Sequence, residues 1–126
     1  MNILIDIDGS TPLFTQLMEQ IKAAVQADAL LPVAALPSIR QLANDLDLNN
    51  KTVAKAYRLL ERDSIIQAKG YRGTFIHPEA KANCTVDINE WVTIKLSETI
   101  DALRESEVTD SEIRIAFANV MTNRKN

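Results

Sequence analysis

The run SIRQLANDLDLNNKTVAKAYRLLER (residues 38–62) decides the fold. Ser38 stands three residues before Gln41, the spacing of a capping box in which hydroxyl and amide close a helix start reciprocally. Ile39, Leu42, Ala43 and Leu46 recur at helical spacing and predict a buried stripe. Asp47-Leu48 makes a short turn, and Asn49 caps a second helix over residues 50–62. That helix shows Val53, Ala56, Tyr57 and Leu60 on one face and Lys51, Ala54, Lys55 and Arg58 on the other. Two short helices with a tight turn between them, the second polar and basic outside, give the helix-turn-helix pattern.

On the C-terminal side, residues 65–69 and 74–76 alternate like strands around Gly70-Tyr71-Arg72-Gly73, predicting a hairpin with a basic tip and glycine at both shoulders. On the N-terminal side, Leu13, Leu17, Ile21, Ala24 and Val25 define an amphipathic helix over about residues 12–28. Thr11 offers its side-chain oxygen as the cap, and Pro12 suits the first helical position. Residues 3–8 read as a short strand closed by Gly9-Ser10, and residues 30–36 as a loop.

Residues 79–87 read as a linker. Beyond it, Ile88, Val92, Leu96, Thr99, Ile100 and Leu103 form the stripe of a helix over about residues 88–105, with Trp91 beside it as a packing anchor. Thr109 and Glu112 form another capping box, opening a last helix with Ile113, Ala116, Phe117, Val120 and Met121. Two such helices cannot bury both apolar faces against each other alone, so a second copy is the expected partner. The fold class expected is mainly α with a small β-hairpin. A winged helix-turn-helix domain (residues 1–78) precedes a linker and a helical dimerisation tail (residues 88–126).

Composition narrows the function. A net charge of −3 argues against nucleic acid until its distribution is read. Within residues 38–73 stand seven basic side chains and four acidic ones, the local excess that phosphate contact requires. Cys84 is the only cysteine and His77 the only histidine, too few for a zinc site of the usual kind. Cys84 is read as an incidental thiol and His77 as a surface residue without a partner. No cofactor or metal is expected. No apolar run approaches the ~20 residues of a membrane span, and no signal peptide is evident, so a cytoplasmic location is expected.

Three ordered blocks, Leu36-Pro37-Ser38-Ile39-Arg40-Gln41-Leu42-Ala43, then residues 49–61, then Gly70-Tyr71-Arg72-Gly73-Thr74-Phe75-Ile76, resemble the GntR family of bacterial winged-helix regulators. Pro12-Leu13-Phe14-Thr15-Gln16-Leu17 also fits, and the short two-helix tail resembles the YtrA-like subfamily. The resemblance implies that Arg40, the recognition-helix leaders Asn49, Asn50, Lys51 and Thr52, and the wing Gly70, Tyr71, Arg72 and Gly73 approach duplex DNA. It also implies inverted-repeat operators, the absence of a large effector domain, and repression as the default. Pro32-Val33 stands where the family usually shows Pro-Gly, Asp47 replaces a common turn glycine, and Asp63-Ser64 stands where a glycine usually follows the recognition helix.

Chemistry assigns roles within that surface. Asparagine pairs adenine and lysine reaches guanine in the major groove, so Asn49, Asn50 and Lys51 are candidate base readers. One asparagine is needed as the cap, which favours Asn50. Arg40, Lys55 and Arg58 are expected on phosphates, with Thr52 and Ser38 beside them. Tyr57 is expected in the core. Ile88, Trp91, Val92, Leu96, Ile100, Leu103, Ile113, Phe117 and Val120 are expected at the dimer interface. Two rival readings exist. Asp6-Ile7-Asp8-Gly9-Ser10 resembles the first motif of haloacid-dehalogenase-type phosphatases, but no alternating strand–helix series follows. A winged helix can also serve as a protein-interaction module.

Overall fold

A computed structural model describes residues 2–123. It divides into two compact units, with the division between Val86 and Asp87.

In the first unit, α1 (Leu13–Gln26), α2 (Ile39–Leu46) and α3 (Asn50–Arg62) pack around a core built from one stripe of each helix. Leu17, Ile21 and Val25 come from α1, Leu42 and Ala43 from α2, and Val53, Ala56, Tyr57 and Leu60 from α3. All four expected α3 residues are therefore buried. On α2 the expected stripe is shorter, because Ile39 in the first turn lies 36% exposed.

The sheet has three strands rather than the two of the expected hairpin. Ala35–Leu36 (β1), inside the stretch read as loop, pairs antiparallel with Thr74–Ile76 (β3), which pairs antiparallel with Ile66–Ala68 (β2). β3 is thus the central strand, with Phe75 opposite Ala35 on one side and Gln67 on the other. Ile65, Ile66 and Ile76 turn into the helical core.

Residues 3–8 are not a strand. Their backbone is held by two glutamines of α1 instead. Gln16 accepts from the Asp6 amide at 2.8 Å and returns its own N–H to the Asp6 carbonyl at 2.9 Å. Gln20 makes the same two-way pair with Leu4. One helical turn rises about 5.4 Å, and two extended residues span about 6.6 Å, so glutamines four apart meet alternate residues of the chain. Thr11 does not cap α1; no side chain does, and the Thr11 carbonyl accepts from Gln16 at 2.8 Å.

Among the described residues, four helices end on a left-handed residue, and none of the four is glycine. Asp28 (φ 60°), Asp47 (φ 54°), Ser64 (φ 58°) and Glu107 (φ 65°) occupy these positions. The amide after each reaches back five residues, as in Leu48 to Ala43 (2.8 Å) and Ile65 to Leu60 (2.9 Å), satisfying a terminal carbonyl. Val33 is also left-handed (φ 59°). The replacements of family glycines at residues 33, 47 and 64 thus keep the backbone that glycine would supply.

Residues 79–87, expected as linker, contain a short helix, α4 (Ala80–Asn83), packed on α1 with Ala80 buried. Asn83 donates to the Ser64 carbonyl at 2.8 Å, and Lys81 pairs with Asp28 at 3.1 Å. Cys84 is half-buried beside Lys22, and burial pushes its thiol pKa up. His77 has a partner after all: its Nδ1 accepts from the Glu79 amide at 2.9 Å.

The second unit is a helical hairpin of α5 (Ile88–Glu105) and α6 (Asp110–Thr122). Asp87 caps α5, and Thr109 and Glu112 close the expected capping box on α6. The Thr109 backbone amide, then its hydroxyl, holds the Glu112 carboxyl below its usual range. Neither helix has a buried residue.

Candidate nucleic-acid interface

Two helix starts define the site. Ser38 accepts from the Gln41 amide at 3.1 Å, the hydroxyl half of the expected box. Asn49 accepts from the Lys51 amide at 2.8 Å, so its side-chain oxygen is committed to the cap and Asn50 is left exposed beside it. Between these starts opens a cleft of about 620 Å³ lined by Ser38, Arg40, Gln41, Asn44, Asp47 and Asn50, among others. The structure thus gathers Ser38, Arg40 and Asn50. It adds Gln41 and Asn44, which residue-by-residue reading missed; their signal is the spacing from Arg40, one and four positions along the same short helix.

Tyr57 anchors this arrangement from beneath. It is buried, its hydroxyl donates to the Pro37 carbonyl at 2.8 Å, and burial raises its pKa to about 12. Along the outside of α3, Lys51, Lys55 and Arg58 are exposed and Thr52 is half-buried. Arg58 does not line the first cleft. It borders a smaller one of about 160 Å³ with Ile39 and Ala54 on one wall and Ala68 and Thr74 of the wing on the other. The Lys55 ammonium lies 4.0 Å from the centre of the Phe14 ring.

The wing tip is a single 3-10 turn, Gly70–Arg72, with Tyr71 96% exposed. Gly73 sits at φ 109° and ψ −162°, a region essentially reserved for glycine. A Cβ there would come no nearer than 4.0 Å to the Phe75 ring, so backbone conformation rather than crowding requires the glycine.

Charge pairing separates the cations into two groups. Lys22 and Arg62 are held by Asp63, Lys81 by Asp28, Lys95 by Glu98 and Arg104 by Asp110. Among the described residues, Arg40, Lys51, Lys55, Arg58, Lys69, Arg72 and Arg114 enter no ion pair. Six of the seven belong to the helix-turn-helix and the wing; Arg114 stands in α6.

In the tail, a cleft of about 520 Å³ is lined almost wholly by apolar groups, including Leu96, Ile100, Leu103, Ile113, Phe117 and Val120. Ile88, Trp91 and Val92 lie outside that lining but remain 37%, 55% and 41% exposed. Ile94 and Ile115 are exposed as well and were not among the expected interface residues.

The aspartates that suggested a phosphatase shape a turn. Asp6 Oδ1 accepts from the Asp8 amide at 3.1 Å, and the Asp6 carbonyl accepts from Gly9 at 3.3 Å. A Cβ on Gly9 would stand 2.8 Å from the Asp6 carboxylate and would displace that side chain from the turn. Among the described residues no helix is long and apolar enough to cross a membrane.

A three-helix head, a three-stranded wing and an unpaired cationic face define a winged helix-turn-helix protein of the kind that reads duplex DNA. Residues 13–76 match the family described as bacterial regulatory proteins, gntR family, and the chain belongs to that family, whose members are DNA-binding regulators and not enzymes. It is 42% identical over 79 residues to the HTH-type transcriptional repressor YtrA of Bacillus subtilis, covering 63% of this chain and 61% of that protein. It is 44% identical over 72 residues to the HTH-type transcriptional regulator Rv1152 of Mycobacterium tuberculosis, covering 57% of this chain and 60% of that protein. The chain therefore spans less than two thirds of each of these relatives. The solved structure of YtrA from Sulfolobus acidocaldarius, a GntR-family transcription factor, is 30% identical with a TM-score of 0.58, covering 95% of this chain and 97% of that one. These likenesses set the chain among the YtrA-like members.

Proposed function

We propose that the protein is a sequence-specific transcription repressor that binds inverted-repeat operators as a homodimer in the cytoplasm. The observation that carries the DNA reading is that, among the described residues, six of the seven unpaired cations lie on the helix-turn-helix and wing. Elsewhere cations are mostly neutralised by carboxylates, whereas these are left for a polyanion to neutralise. The start of α3 enters the major groove, with Asn50 and Lys51 reading base edges. Arg40, Lys55 and Arg58 hold phosphates, supported by Ser38 and Thr52, and Tyr71 and Arg72 enter the adjacent minor groove.

The exposed apolar residues of α5 and α6 support pairing of two tails, because water opposes leaving Leu103, Phe117 and Val120 uncovered. Two heads joined in this way engage two half-sites with one binding event's loss of freedom. Repression is the activity named for the Bacillus relative. No effector is assigned.

Gel shift on genomic fragments at two salt concentrations tests the reading. Affinity falling steeply with salt, at about 0.9 logarithmic units per phosphate neutralised, is the expected result. Salt-insensitive or absent binding would instead favour a protein-interaction module. Sedimentation of Phe117→Glu tests the pairing: the wild type runs as a dimer and the variant as a monomer with weakened operator affinity.

A further inference from the structure

Lys55 is four residues along α3 from Lys51 and shares its exposed face, but it is not a freely waving side chain. Its ammonium lies 4.0 Å from the centroid of Phe14, in the first turn of α1. Phe14 is itself half-buried and packs against the hydrophobic core, so the ring is a fixed platform. An ammonium over a ring face is attracted by the negative side of the ring quadrupole. That attraction occupies no hydrogen-bond acceptor of the ring, and the donors of the ammonium stay available. Lys55 also enters no ion pair among the described residues. The wing repeats the arrangement, with Lys69 over Phe75 at 5.6 Å.

A lysine side chain has large rotamer entropy, which any contact that fixes it must overcome. A side chain already held in place has less to lose. We infer that Phe14 is a positioning residue for DNA binding: its ring holds the Lys55 ammonium at the rim of the recognition helix, preorganised to take a phosphate. The inference rests on the proposed phosphate contact of Lys55 and adds a residue from a helix outside the helix-turn-helix. The wing pair is a weaker version, since its longer distance leaves Lys69 less constrained.

A double-mutant cycle on the full chain tests it, using a fluorescent mixed-sequence duplex of about 30 base pairs and anisotropy over a range of salt. Lys55→Ala should weaken binding and lower the salt slope by about 0.9, the share of one phosphate. Phe14→Leu should weaken binding about two- to fivefold with the salt slope unchanged, because the charge remains while its placement is lost. Phe14→Tyr, which keeps the ring face, should restore affinity. In the Lys55→Ala background, Phe14→Leu should cost nothing further. Phe14→Met is the second variant should leucine fail to fold, and thermal melts check both.

An equal loss from Phe14→Leu with and without Lys55 would overturn the inference, since it would mark a purely structural role. So would no loss from Phe14→Leu while Lys55→Ala still weakens binding. If Lys55→Ala itself leaves binding unchanged, the phosphate contact fails and the inference falls with it, a result distinct from the first two.

Discussion

The Tyr57 hydroxyl donates to the carbonyl oxygen of Pro37 at 2.8 Å, across twenty residues. This bond ties the middle of the recognition helix to the residue before the cap of α2, so the two helix starts that line the cleft share one strut. Tyr57→Phe removes the donor and leaves a part-buried carbonyl unsatisfied, and should destabilise the fold by about 1–2 kcal/mol in a urea titration. Burial of the tyrosine also has a pH signature. Burial raises the phenol to about 12 from its ordinary 10.0, so unfolding favours loss of the proton. The stabilisation is full below pH 10 and is lost as pH rises through 12. Alkaline melts of the wild type and Tyr57→Phe should differ in slope across that window and run parallel beneath it.

Left-handed residues without glycine make a second expectation. An L side chain in that region costs about 1–2 kcal/mol, most for β-branched residues and least for aspartate. Val33→Gly should therefore raise stability by about 1 kcal/mol, since Val33 is 56% exposed and little burial is lost. Ser64→Gly and Glu107→Gly should gain about 0.5–1 kcal/mol each, while Asp28→Gly and Asp47→Gly stay close to neutral. Thermal melts rank the five, and a loss at Val33 would show that its side chain contributes packing that outweighs the strain.

The two glutamines that hold the N-terminal segment predict a local rather than global effect. Gln16→Ala should expose the Asp6 amide and Gln20→Ala the Leu4 amide to faster hydrogen exchange. Protection of amides in the middle of α3 should change little. Uniform acceleration across the head would mean that the segment is integral to the core.

Base reading and backbone contact should separate by mutation. Arg40→Ala should weaken binding to every duplex, whereas Asn50→Ala should change sequence preference by ~1–3 kcal/mol at one position. Competition of operator against random duplex measures the difference. Equal effects of Asn50→Ala on both would remove it as a reader.

Helix spans were legible because their ends announce themselves. Ser38, Asn49 and Thr109 each cap the helix that their position implied, and the α3 core face follows directly from its spacing. Residues 3–8 do alternate like a strand, and Ile3 and Ile5 do pack on the core. Strand and pinned segment share that alternation, however, and nothing local reveals that the partners are side chains of α1. β1 is two residues long, too short for any periodicity, and α4 is a single turn whose signal is one buried alanine. At the site, Arg40 and Asn50 were legible from motif and capping. The platform under Lys55 was not, because Phe14 is distant in the chain and only packing of α1 on α3 brings them together.

The six cations of the helix-turn-helix and wing that are left without carboxylates have a practical consequence at the bench. The chain carries three more acidic than basic side chains and would be expected to pass through a negatively charged column at neutral pH. A matrix bead meets one face of a molecule rather than its algebraic sum, and this face is cationic. Heparin-agarose should therefore retain the protein, and elution should advance to lower salt as Arg40, Lys51 and Arg58 are replaced one by one.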